Sequence, residues 1–177
     1  MDKEKQGAQE KQTAPEKRRR KVRFSRDVIL LAVLLVAFAG LGAYGIMSDL
    51  SIRGLTVKFY NVSRYCPAGT TVVTFSFATV VVYSSNSLPT SLSHVSFAMS
   101  ADGVAVGTQS AADSSFNAGQ SARYNSLNFS NTALDPHSQP TSSTIDLTID
   151  AQVSAGLFSS QVSASDSELV HFSGPPC

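Results

Sequence analysis

Ile145-Asp146-Leu147-Thr148-Ile149-Asp150-Ala151-Gln152-Val153 alternates apolar with polar side chains through nine residues. Successive side chains of a strand point to opposite faces, so this stretch is a half-buried β-strand with one wet face. The same period recurs upstream. Leu55, Val57 and Phe59 alternate with Thr56, Lys58 and Tyr60, and Val95, Phe97 and Met99 alternate with Ser96, Ala98 and Ser100. In the run Thr71 to Tyr83, Val73, Phe75, Phe77, Thr79, Val81 and Tyr83 share one face. The other face also carries Val72, Ala78, Val80 and Val82, which predicts a central strand buried on both sides toward its end.

Turn chemistry separates these strands. Ala101-Asp102-Gly103-Val104 holds the Asp-Gly pair of a type I′ hairpin and predicts that Val95–Ser100 pairs with Val104–Thr108. Asn117-Ala118-Gly119-Gln120 reads as a second turn leading into Ser121–Ser130, and Ser130 to Ser143 as a long loop. No stretch after Met47 carries a helical apolar stripe of useful length. Seven or so short strands in about 120 residues predict an all-β, antiparallel β-sandwich at 55–177, a size that buries one core unaided.

Ahead of that domain, Val28 to Met47 is a run of 20 uncharged residues. A helix of that length is about 30 Å long, the hydrocarbon thickness of a bilayer. Of the 14 Lys and Arg, 10 precede Asp27, including Lys17, Arg18, Arg19, Arg20, Lys21, Arg23 and Arg26. By the positive-inside rule this predicts a cytoplasmic amino terminus, with the carboxyl-terminal domain extracellular or lumenal. The organisation expected is a disordered basic tail at 1–27, a transmembrane signal-anchor helix at 28–47, a juxtamembrane connector at 48–54 and the outer domain. A cleaved signal is the competing reading, since Ala37-Phe38-Ala39-Gly40 and Ala43-Tyr44-Gly45 are small enough to be cut. Ala39 and Ala43 also form a small-xxx-small pair for close helix packing. The literal G-x-G-x-x-G at Gly40–Gly45 is a false match, because the dinucleotide fingerprint works only between a strand and a helix mouth.

The charge divides in the same way. Residues 1–27 hold 10 basic and 5 acidic side chains, and residues 48–177 hold 4 and 8. The basic tail sets topology and can attract anionic lipid. It lacks the interleaved aromatic residues of a nucleic-acid reader, so membrane lipid is the expected contact and nucleic acid is not.

Tyr83-Ser84-Ser85-Asn86-Ser87-Leu88-Pro89, Val95-Ser96-Phe97-Ala98-Met99, Asp102-Gly103-Val104-Ala105-Val106-Gly107 and Phe116-Asn117-Ala118-Gly119-Gln120-Ser121 form an ordered series. The series resembles the type-2 late embryogenesis abundant family, also called the water-stress and hypersensitive-response domain, in its membrane-anchored branch. Its Asn-Pro pair is here Asn86-Ser87-Leu88-Pro89. The resemblance covers about residues 55 to 172. It implies a fibronectin type III-like sandwich without catalytic residues, associated with stress or membrane-linked signalling.

Cys66 and Cys177, an even count in an oxidising compartment, suggest one internal disulfide; unpaired thiols or a link between chains through Cys177 are the alternatives. Asn61-Val62-Ser63 and Asn128-Phe129-Ser130 match the glycan acceptor pattern, Asn128 being the better placed before a loop. His94, His137 and His171 lack metal-ligand spacing, and Asp146 with Asp150 reads as a solvated face rather than a calcium site. No G-x-S-x-G elbow occurs. The expectation is no enzyme, cofactor or metal: a single-pass glycoprotein interaction or stress-protective module. The alternative is an accessory subunit whose helix or outer domain braces a protein partner.

Overall fold

The structure, a computed structural model, describes residues 25–68, 70–84, 88–132, 134 and 140–173. The chain divides into two units, Met1–Phe38 and Ala39–Cys177. The described part of the first is the opening half of α1 (Arg26–Arg53), whose first turn begins where the Ser25 carbonyl accepts from the Val28 and Ile29 amides. Arg26 is exposed at that end; the other basic residues named for topology, Lys17 to Arg23, lie outside the described residues. At 28 residues α1 is about 42 Å long, and it is apolar enough to cross a membrane. The helix does not stop at Met47. It continues through residues 48–53, where the sequence suggested a connector.

The second unit holds the rest of α1 and the sandwich. Its strands are β1 (Leu55–Tyr65), β2 (Val73–Ser84), β3 (Thr90–Ala101), β4 (Val104–Ser110), β5 (Ser114–Phe116), β6 (Ser121–Asn131), β7 (Ser142–Ala155) and β8 (Phe158–His171). One sheet has the order β1-β2-β6. The other has β4-β3-β7-β8, with β5 also on β3. Every pairing is antiparallel. The chain changes sheets between β2 and β3, between β5 and β6, and between β6 and β7, so the expected all-β antiparallel sandwich after one helix is what forms.

Local chemistry explains the hairpins. Asp102 (φ 51°) and Gly103 (φ 79°) both adopt the left-handed conformation that a type I′ turn requires, and Ala101 pairs with Val104 as the sequence predicted. The Asp102 carboxylate also accepts from the Thr144 amide at 2.8 Å, while the Asp102 amide donates to the Thr144 carbonyl. That single residue therefore makes the turn and ties it to the start of β7. β7 alternates without a fault, burying Ile145, Leu147, Ile149, Ala151 and Val153.

The first sheet departs from the alternation expected of it. β2 is central, but it is not buried on both faces. Its inward side chains run Val73, Phe75 and Phe77, then switch parity to Val80 and Val82, leaving Ala78 exposed. β1 switches at the same row, from Leu55, Val57 and Phe59 to Val62 and Arg64. β6 switches from Ala122 and Tyr124 to Leu127 and Phe129. The cause lies in Asn61 (φ 54°) and Ser126 (φ 58°), left-handed residues on the two strands flanking Ala78. Each turns two consecutive side chains outward, Tyr60 with Asn61 and Asn125 with Ser126, while the pairing register on either side stays the same. One kink thus crosses all three strands. The apolar residues Val80 and Val82 form no second buried face; they are the same inner face after the reversal.

The core joins both sheets. Phe77 packs edge-on against Phe59 (5.3 Å between centroids) and Phe129 (5.6 Å), and Phe97 of β3 meets Tyr124 of β6 at 5.1 Å. Strand edges are capped by side chains: Gln109 Oε1 accepts from the Asn128 amide, and Asn131 Nδ2 donates to the Ala105 carbonyl. On the opposite side Lys58 Nζ of β1 meets Asp166 Oδ1 of β8 at 2.6 Å.

Candidate functional site at the helix-proximal end of the sandwich

The last turns of α1 are part of the sandwich rather than a stalk. Ser48, Ser51 and Ile52 are buried, at 0, 0 and 4% exposure, and form one helical face spaced by three and four residues. Serine is small enough to let the helix approach the sheet closely. The Ser84 hydroxyl at the end of β2 donates to the Ser51 carbonyl at 2.9 Å, and Ser51 Oγ donates back to the Met47 carbonyl at 2.9 Å. The Ser84 bond satisfies a carbonyl in the last turn, where intrahelical partners run out, while the Ser51 bond ties its hydroxyl back to the preceding turn. Ser48 Oγ is buried without a hydrogen-bond partner, a group whose desolvation is uncompensated. Tyr44 extends the same face one turn toward the amino terminus and lies against Gly156, the first residue of the β7–β8 turn.

Beside this junction is a cleft of about 640 Å³, lined by Gly45, Asp49, Ile52 and Arg53 of α1 and by Phe158 and its neighbours at the start of β8. Asp49 and Arg53 pair with each other at 2.9 Å, one helical turn apart, and both are largely exposed. The lining is mixed: Ile52, Phe158 and Val162 lie beside Ser159, Ser160, Gln161 and the Asp49–Arg53 pair. Among the described residues, no three His, Cys, Asp or Glu side chains come together as a metal-binding group.

The residues singled out from sequence fall elsewhere. Asn61 and Asn128 both lie exposed on the outer face of the first sheet, on its two edge strands near the kink. Asn128 Nδ2 donates to the Ser126 carbonyl at 3.3 Å. Ala39 and Ala43 are exposed on α1. Cys66 is half-buried against the core just after β1, and no cysteine among the described residues is free. Cys177 and His137 lie outside the described residues. Nearby, the Arg64 guanidinium stacks 4.6 Å over Phe172 and donates to the Pro140 carbonyl at 2.7 Å, with partial burial pulling its pKa down. Asp146 and Asp150 each accept a serine hydroxyl, from Ser100 and Ser163, and His94 occupies a bulge whose amide is held by Asp113 at 3.0 Å.

Sequence reading missed the whole helix–sheet junction, namely Tyr44, Ser48, Ser51, Ile52, Ser84 and the Gly156 turn. It also missed β8, whose alternation is diluted by serine. One signal was present: Ala155-Gly156-Leu157-Phe158 follows the cleanest strand and fits a two-residue hairpin with glycine at the left-handed first position (φ 63°).

The fold and the junction define a class, an antiparallel β-sandwich carried directly on an N-terminal apolar helix, which fits a membrane-anchored β protein. No family model matches the chain, and no curated protein matches it. Among solved structures it is similar to a protein from Archaeoglobus fulgidus, at 10% identity over 66% of this chain and 94% of that one, with a TM-score of 0.37. A likeness of that size adds nothing to the fold read from the strands themselves.

Proposed function

We propose that the chain is a single-pass, membrane-tethered and non-enzymatic module of the type-2 late embryogenesis abundant kind. Its sandwich acts on the extracellular or lumenal side in protection or in binding. The observation that carries this reading is the helix–sandwich junction. Because Ser51 bonds Ser84 and Ile52 enters the core, the last turns of α1 belong to the sandwich and no separate linker intervenes between them. The serine-rich outer surface of β8 hydrates well with little charge, which suits a protective surface. The disulfide between Cys66 and Cys177 and glycans at Asn61 and Asn128 belong to the same proposal. They are supported by the exposure of both asparagines and by the lack of a free cysteine among the described residues.

Mass spectrometry of the intact protein from its native membrane tests this, with and without reductant and deglycosylation. An intact amino terminus, a mass gain of two hydrogens on reduction and glycan at Asn128 are the expected results. A chain beginning near Ala43 with free thiols would overturn the tethered reading.

The second reading is an accessory subunit of a membrane complex. It is favoured by Ala39 and Ala43, exposed four residues apart on the apolar helix. Small residues at that spacing let helices pack closely in lipid. Replacing either with leucine should then abolish co-purification with a partner at fixed stoichiometry, whereas a free-standing module would be indifferent to the change.

A further inference from the structure

The turn between β7 and β8 carries the wrong residues for a solvated tip. Exposed turns favour Gly, Asn, Asp and Ser, yet here the tip is Leu157, 86% exposed, followed by Phe158 at 50%. From Val153 to Gln161 there is no charged side chain. The placement of the turn accounts for this choice. Gly156 lies so close to the Tyr44 ring that a Cβ there would collide with the phenol. Tyr44 is three residues inside the Met47 end of the apolar stretch, about 4.5 Å along the helix axis. A membrane that takes up Val28 to Met47 therefore holds Tyr44 in its interfacial layer, where tyrosine is favoured. The tip beside Tyr44 meets the same layer.

We infer that Leu157 and Phe158 insert into the interfacial layer of the membrane that α1 enters, giving the sandwich a second, shallow lipid anchor. The occupant of this surface is lipid because the tip is continuous with the apolar helix and uncharged. The nearest charges lining the cleft, Asp49 and Arg53, already pair with each other a turn farther along the helix. Two attachments, a helix and a hairpin tip, fix the tilt of the domain over the bilayer, which one helix alone does not. The inference rests on the spanning reading of α1, and its test separates the two.

The chain contains no tryptophan, so one introduced tryptophan is the only one to report. Three full-length variants are reconstituted in phosphatidylcholine vesicles with and without lipids brominated on the acyl chain: Leu157→Trp, Leu34→Trp in α1, and Val104→Trp in the hairpin at the far end of the sandwich. The expected result is blue-shifted emission from Leu157→Trp, quenched severalfold more by lipids brominated near the headgroup than Val104→Trp is. Leu34→Trp should be quenched best by deep bromines. If Leu34→Trp is quenched while Leu157→Trp emits as in water and yields to aqueous iodide, the second anchor is overturned and the span stands. If Leu34→Trp is not quenched either, the spanning reading fails and the anchor fails with it. Leu157 is almost fully exposed, so its replacement leaves the fold intact, and Phe158→Trp repeats the measurement at the neighbouring position.

Discussion

At the residue scale, the fold shifts the titration of Tyr124 and Lys58 in the same direction, upward. Tyr124 is 8% exposed, and its burial raises the phenol pKa although its hydroxyl bonds Ser114 Oγ at 2.7 Å. Lys58 is raised by its hydrogen bond to Asp166 and by that carboxylate's charge. For both, the folded pKa lies above the unfolded one. Their contribution is therefore complete below about pH 10 and is lost as pH rises through the folded values. The urea midpoint should hold steady from neutrality to about pH 10 and fall above it. Tyr124→Phe should cost about 1 kcal/mol at pH 7 through the lost hydrogen bond and should flatten the alkaline fall. An unchanged alkaline slope in that variant would show that Tyr124 does not carry it. Ser48 makes a second residue-level case. Its hydroxyl is buried without a partner, so Ser48→Ala should be neutral or stabilising, whereas Ser48→Leu should push the helix off the sheet and lower the melting temperature. Thermal unfolding in one detergent checks both variants.

Among the elements, the kink across β1, β2 and β6 shows what was legible and what was not. β7 obeys period two from Ile145 to Val153, so its inner face was readable directly. β2 carries apolar residues at both parities because the pleat reverses at Ala78. A period-two template reads that pattern as two buried faces, since it has no means of recognising a reversal. The trigger sits on the neighbouring strands, in Asn61 and Ser126; asparagine tolerates a left-handed backbone better than most residues, but inside a strand pattern it does not announce one, and serine gives no such signal. Asp102-Gly103 was legible because that dipeptide has one favoured geometry. The reversal makes a prediction. A left-handed conformation costs a non-glycine residue roughly 1–2 kcal/mol. Ser126→Gly should therefore be neutral to stabilising, and Ser126→Val, a β-branched residue at φ 58°, should destabilise by at least about 1 kcal/mol. Urea denaturation of the two variants gives the answer, and an equal loss in both would mean that the backbone there is not what sets the cost.

For the whole molecule, the architecture was legible while the way its parts join was not. A run of 20 uncharged residues followed by period-two patterns separates helix from sandwich. Nothing in Ser48-Asp49-Leu50-Ser51-Ile52-Arg53 says that this segment stays helical and enters the domain core, because that outcome depends on Ser84 and Gly156 arriving from distant strands. The chain's other long-range tie is the proposed Cys66–Cys177 disulfide, which would close a loop of roughly 110 residues. Cross-linking so long a loop restricts the unfolded chain, and the entropic estimate is about 4–5 kcal/mol, less any strain in the folded state. The Cys66 end is anchored well, half-buried and next to the Arg64–Phe172 stack that already draws β1 toward the end of β8. Because that stack does not depend on the sulfur atoms, reduction should leave the folded state intact and act mainly on the unfolded one. The expected outcome is an unchanged circular dichroism spectrum at 25 °C after reduction, with a urea midpoint that drops sharply. Cys66→Ala with Cys177→Ala should reproduce the drop without reductant. A midpoint indifferent to both treatments would show that the two cysteines do not close the domain, and the stability of the sandwich would then rest on its buried aliphatic and aromatic core without a covalent tie.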